Sequence, residues 1–321
     1  MISRKRASLV GAGVAVVLVL LLALASRPGE PVELTIPRGA TLSEVADTLE
    51  ARGVIRARPL FELYARVRGA DRKIRAGRYA MAAPSSWAET LRRLTRGAVL
   101  TEAVVIPEGF TLAQIAPRLA AVAGVPSDSA LAMLRDTALA RSLDVPGPGL
   151  EGYLFPDTYR FASGLGVRRM AAAMVARYRA VWTPERLAAR DALGMTEREV
   201  VTLASIVQAE ARRTAEMPRI AGVYHNRLDR GWLLQADPTV LYALGGYRAR
   251  LLFAAIDSVA DSPYNTYTQP GLPPGPIGAP GEDAIDAALH PTGDYLYLVA
   301  WPDGSHVFTR SLAEHNRARA D

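Results

Sequence analysis

The 321-residue sequence has no cysteine, so neither a disulfide framework nor thiolate chemistry is open to it. Histidine is scarce as well. His225, His290, His306 and His315 are the only four, none in HExxH or other ligand spacing, and this predicts neither a metal site nor a cofactor. No strong excess of one charge marks the chain. The net charge is +6, half of it from Arg4, Lys5 and Arg6, which is too little and too scattered for a nucleic-acid partner. What the chain has in quantity is apolar: 50% of its residues are hydrophobic, enough for a sizeable core in two or three domains.

The longest uncharged run, residues 9–25, follows that basic cluster and ends at Ser26, Arg27 and a Pro-Gly break. Its 17 residues are at the lower limit for a membrane-spanning helix. The expectation is a single-pass anchor with residues 1–8 in the cytoplasm and everything beyond Arg27 exported. The alternative is a cleaved signal peptide, with Ala23-Leu24-Ala25 as the small-x-small site.

TEREVVTLASIVQAEAR, residues 196–212, is the most informative stretch. Thr196 and Glu199 have the spacing of a capping box, so a helix is predicted to start there. Val200, Leu203, Ala204, Val207 and Ala211 then form one apolar stripe. Glu210 falls roughly 20° from Leu203 on a helical wheel, at the edge of that stripe. Burial disfavours a charged carboxylate, so Glu210 is a candidate acid that keeps its proton near neutral pH. The competing expectation is a surface pair with Arg213 or Arg177.

An internal repeat relates I-P-R-G-A-T-L-S-E-V-A-D-T-L from Ile36 to I-P-E-G-F-T-L-A-Q-I-A-P-R-L from Ile106, an offset of 70 residues. Each copy reads as a short strand (32–36 and 103–106), a Pro-x-Gly turn, a Thr cap and an amphipathic helix. Between them are predicted a helix over 59–68, a strand over 77–81 and a helix capped by Ser86 and stopped by Gly97. The opening of each copy resembles that of the LysM fold, a small module that binds N-acetylglucosamine polymers. A spacer holding the next domain off the membrane is the alternative, since only Tyr79 and Trp87 offer rings to a sugar, and both read as core.

Further on, LEGYLFPDTY from Leu150 reads as a strand and turn carrying Glu151 and Asp157. Helices are predicted over 168–181, 220–228 and 282–289, and Asp237 and Thr239 are placed to cap another. S-P-Y-N-T-Y from Ser262 and the Pro/Gly-rich residues 271–281 form a long irregular loop, and a hairpin turns across Pro302-Asp-Gly-Ser305. LASIVQAE, HNRL, QADPTV, SPYNTY, GLPPGPI and the closing EHN together resemble the MltG (YceG-like) endolytic murein transglycosylases, over residues 32–316. In that resemblance Glu210 takes the place of the catalytic glutamate. Gln208 stands where many members carry a second glutamate, and His225 where an aromatic is common.

The resemblance implies cleavage of the MurNAc-β-1,4-GlcNAc bond inside nascent glycan strands, with an anhydro sugar at the new end. It also implies a bacterial inner-membrane location with the catalytic domain outside, and peptidoglycan polymerases (penicillin-binding proteins) as partners. Glu151, Asn226, Gln235, Asp237, Tyr264, Asn265 and Thr266 are the residues expected to hold the glycan or steady the charged centre. A muramidase, with Asp237 or Glu151 activating water, and a non-catalytic glycan-binding or division scaffold are the competing functions. The expected fold is α+β. It comprises the anchor (9–25), a LysM-like domain (26–100) and a mainly helical catalytic domain (101–321) whose start repeats the LysM-like unit and whose end is a β-hairpin.

Overall fold

The structure, a computed structural model, describes residues 29–246 and 253–320. The expected anchor and the alternative cleavage site lie outside them. Among the described residues no helix is long and apolar enough to cross a membrane. The architecture is α+β: helices predominate and each sheet has two strands. The chain divides into two compact units. Unit 1 runs to Glu102 and takes in Arg160–Gly164, and unit 2 holds Ala103–Tyr159 and the residues from Leu165 on.

In unit 1 the order is β1 (Glu30–Ile36), α1 (Leu42–Ala51), α2 (Arg58–Val67), β2 (Gly77–Ala83) and α3 (Trp87–Arg96). β1 and β2 pair antiparallel from Glu30↔Ala83 to Ile36↔Gly77, and the period of two turns Leu34 and Ile36 inward. α1 starts on a capping box in which Thr41 and Glu44 satisfy each other's backbone N–H groups. Helices α1, α2 and α3 close over a core built on Leu49, Phe61, Met81 and Leu94, and Tyr79 and Trp87 are part of that core.

Strands β3 (Thr101–Ile106) and β4 (Asp157–Ala162) form a second sheet, and the boundary between the units falls within both. β4 begins later than the sequence pattern implied, because residues 150–154 are turns and bends. Unit 2 continues with α4 (Leu112–Ala123), α5 (Ser127–Arg135), α6 (Thr137–Ser142), α7 (Val167–Val181), α8 (Pro184–Ala192), α9 (Glu197–Glu210) and α10 (Met217–Asp229). Then come α11 (Asp237–Ala243), α12 (Phe253–Asp257), α13 (Glu282–Leu289), the hairpin β5 (Tyr297–Ala300) and β6 (His306–Thr309), and α14 (Leu312–Ala318).

α9 is the central element. Its capping box forms as expected, but its middle is buried on every side, from Val200 to Val207, and not along one stripe only. Helices α10, α11 and α13 pack around it. Two hydroxyls can be inside because each is satisfied: Thr202 donates to the Arg198 carbonyl (2.7 Å) and Ser205 to the Thr202 carbonyl (2.7 Å). Ser205 Oγ also accepts the Ile277 amide at 3.0 Å, and Gln208 Oε1 accepts the Gly281 amide at 2.9 Å. The irregular loop 271–281 is therefore pinned to α9. On its other side the Gly109 amide donates to the Ala279 carbonyl (2.7 Å) and the Ala279 amide to the Phe110 carbonyl (2.9 Å). Gly278 has to be glycine here, since a Cβ would lie 2.6 Å from the Gly109 carbonyl oxygen.

Candidate active site

α9 delivers Glu210 on its last residue, where the helix leaves the core and its side chain becomes partly exposed. The carboxyl lines a cavity of about 500 Å³. Tyr224, buried on α10, donates its hydroxyl to Glu210 Oε1 at 2.8 Å. Among the described residues nothing hydrogen-bonds Oε2, so one oxygen is held and the other is left for a ligand. Burial is the main reason the Glu210 carboxyl is pushed up to about 7. The negative charge of Asp237 adds to the rise, while the Tyr224 hydrogen bond and Arg227 oppose it. The competing surface pairing is absent, because Arg213 binds Asp303 (2.9 Å) and Arg177 binds Asp157 (3.0 Å) and Glu282 (2.8 Å).

Asp237 faces the same cavity but is exposed. It is the first residue of α11, behind Ala236 at the cap position, so it does not cap the helix as its spacing implied. Its Oδ1 accepts the Tyr267 hydroxyl at 2.5 Å. Gln235 also lines the cavity, with φ 49, and its amide donates to the Thr266 carbonyl at 3.0 Å. Thr266 is buried and its Oγ1 accepts the Ala236 amide (3.0 Å) and meets Thr239 Oγ1 (2.9 Å). Asn265, also buried, donates to the Ile256 and Val259 carbonyls (2.9 and 3.1 Å) and accepts the Tyr267 amide (3.0 Å). Thus QADPT and SPYNTY are one wall, in which Asn265 and Thr266 set the backbone and Asp237, Gln235 and Tyr267 face inward.

The remaining expected residues stand elsewhere. Asn226 donates to the Gly293 and Tyr295 carbonyls (3.2 and 2.9 Å), tying α10 to the hairpin. His225 Nε2 meets the Ala288 carbonyl at 2.9 Å. Glu151 takes the Leu112 amide (2.9 Å) and the Tyr242 hydroxyl (3.1 Å), and Tyr242 packs on Tyr264 with ring centroids 4.9 Å apart. Neither Glu151 nor Tyr264 lines the Glu210 cavity.

Sequence reasoning missed Tyr224, Arg227, Tyr267 and the hairpin side of the cavity. Buried Arg227 donates to the Leu296 and Leu234 carbonyls (2.7 Å each), with its guanidinium 5.4 Å from the Tyr297 ring. Tyr297 meets His315 at 5.2 Å, and both line the cavity. The EHN motif was the available signal for His315, though it gave no partner. Among the described residues no group of His, Cys, Asp and Glu is arranged to hold a metal ion.

One acid with a bound and a free oxygen, an exposed Asp237 on the same cavity and polar walls can protonate a leaving oxygen and stabilise a developing cation. A family model described as the YceG-like family matches residues 34–321. The sequence is 34% identical over 306 residues to an endolytic murein transglycosylase of Bacillus subtilis (strain 168), covering 90% of this chain and 84% of that protein. It is 31% identical over 332 residues to an endolytic murein transglycosylase of Streptococcus pneumoniae serotype 2, covering 94% of this chain and spanning 60% of that relative's length. Among solved structures, a YceG-like protein of Listeria monocytogenes superposes with a TM-score of 0.62 at 31% identity, over 90% of this chain and 98% of that one.

Proposed function

Because the chain belongs to the YceG-like family, we propose that it is an endolytic murein transglycosylase with Glu210 as its acid and base. The observation that carries this reading is the Glu210 carboxyl in the cavity wall, with Oε1 fixed by Tyr224 and Oε2 free. Burial keeps it protonated up to about neutral pH. Glu210 gives that proton to the oxygen between N-acetylmuramic acid and N-acetylglucosamine, and the C–O bond breaks through an oxocarbenium-like centre. Asp237, exposed on the same cavity, faces the positive charge. The muramyl 6-hydroxyl then attacks its own anomeric carbon, returning a proton to Glu210 and closing a 1,6-anhydro ring. Intramolecular attack has a high effective molarity, so no second carboxylate is needed to activate water.

A muramidase would use the same two carboxylates, with Asp237 activating water, and the presence of Asp237 on the cavity is what favours it as the second reading. Mass spectrometry of glycan strands digested by the wild type and by Glu210→Gln separates the two. Anhydro ends made by the wild type alone support the proposal, and reducing ends assign the hydrolase.

The uncharged run at residues 9–25 and its basic flank support a single-pass anchor, which would set the active site on the outer face of the cytoplasmic membrane, beside the polymerases that extrude new strands. The I-P-x-G-x-T-L motif supports a LysM-like role for unit 1. Tyr79 and Trp87 are interior, so glycan contact there would fall to other side chains.

A further inference from the structure

The cavity is flanked by an aromatic step that the proposed chemistry does not use. Helix α10 ends at Asp229, and Gly231 at φ 65 turns the chain so that the Trp232 amide donates back to the Arg227 carbonyl at 2.9 Å. This turn presents Trp232 at the surface, 41% exposed, when a core position would have buried far more of the ring. Trp232 is continuous with the cavity wall. Its ring centroid lies 6.2 Å from that of Tyr297, which lines the cavity and in turn lies 5.2 Å from His315. Arg227 and Arg230 place guanidinium groups 5.4 Å from the Tyr297 ring and 5.9 Å from the Trp232 ring. Burial, with Arg319 and Arg227 adding to it, holds the His315 pKa down, so its imidazole joins this wall as a neutral ring.

A strand cut internally has to continue beyond the cleaved bond on both sides. In a β-1,4-linked pyranose the axial C–H bonds make a flat, weakly apolar face suited to an aromatic ring, and the rim hydroxyls and acetamido groups suit guanidinium donors. We infer that Trp232 and Tyr297, flanked by Arg230 and Arg227, form a glycan subsite that holds a sugar next to the scissile disaccharide. The inference rests on the proposed function for the identity of the polymer. Trp232 is a binding residue in it and takes no part in the proton transfers.

The test uses the full chain and purified uncrosslinked glycan strands, in two arms. In cleavage assays Trp232→Ala is expected to raise KM about tenfold, the effect of losing about 1.4 kcal/mol of binding, with kcat within about twofold. Trp232→Phe, which keeps a ring, should recover most of that loss. In the second arm, binding of the same strands to Glu210→Gln is compared with binding to Glu210→Gln/Trp232→Ala, and the double variant should bind about tenfold more weakly. An unchanged KM and unchanged binding would overturn the subsite, as would a loss that Trp232→Phe does not restore. If the wild type makes no cuts yet its binding depends on Trp232, the subsite stands and the transglycosylase reading falls.

Discussion

Unit 2 holds two carboxyl groups that burial pushes up to about 7, Glu210 and Glu151, in two regions built for different ends. At Glu151 both oxygens are taken, one by the Leu112 amide at the start of α4 and the other by the Tyr242 hydroxyl on α11. The group joins a helix N-terminus to the tyrosine pair Tyr242 and Tyr264. At Glu210 one oxygen is held and the other opens into a cavity that also carries an exposed Asp237. The same direction of shift, from the same cause, thus marks a structural joint in one place and the proposed proton donor in the other. Access to a ligand distinguishes them.

The largest effect that would break this contrast is on turnover. Glu210→Gln is expected to lower kcat on glycan strands by a factor on the order of 10³, within the range for removing a general acid. Glu151→Gln keeps kcat within about tenfold. Comparable collapse in both would mean that Glu151 reaches the substrate.

Stability against pH comes next. For each glutamate the folded state keeps a proton that the unfolded chain loses above 4.5, so stability is full below about 4.5 and falls as pH rises to about 7. A shift from 4.5 to about 7 corresponds to about 3 kcal/mol per group above pH 7, taken as an upper figure. Either Gln variant should therefore gain stability at pH 8 and gain almost nothing at pH 4, read by urea denaturation at both pH values. A gain equal at both would remove the carboxyl charge as its cause.

A third effect belongs to the open site alone. With Glu210 as the proposed acid, kcat/KM of the wild type should fall about tenfold per pH unit above about 7. The Tyr224 hydroxyl stabilises the charged carboxylate, so Tyr224→Phe moves that fall to higher pH while lowering the plateau. A fall that stays in place would show that another group limits the alkaline side.

The open site was legible in part because its helix announces itself. The capping box and the 3.6-residue period located α9 and set Glu210 at its edge. Its hydrogen-bond partner was hidden by the same logic, since Tyr224 sits among apolar residues of α10 and reads as core, which it also is. In S-P-Y-N-T-Y no period says which side chain faces in. Tyr264, Asn265 and Thr266 drew attention, and the side chain that meets Asp237 is Tyr267. Asn226 looked like a ligand for sugar, and its amide ties down carbonyls almost seventy residues away, a pairing no local pattern encodes. The repeat was visible as a repeat, but its two environments were not. Gly39 turns with nothing near it, whereas Gly109 clamps the loop that ends at Gly281.

The smallest effect tests the closed site by its tyrosine. Tyr242→Phe removes the hydroxyl that Glu151 Oε2 accepts at 3.1 Å and keeps the ring that packs on Tyr264. The lost bond favoured the ionised carboxylate, so the pKa of Glu151 should rise further. The destabilisation, about 1 kcal/mol, should therefore appear at pH 8 and fade toward pH 4, where the carboxyl is protonated in both folded and unfolded chains. Loss of packing alone would be the same at both pH values. Cleavage of glycan strands should keep its pH profile in Tyr242→Phe, in contrast to Tyr224→Phe. If Tyr242→Phe moved that profile instead, the two carboxyls would be coupled through the α11 side of the cavity, and the closed region would be part of the active site.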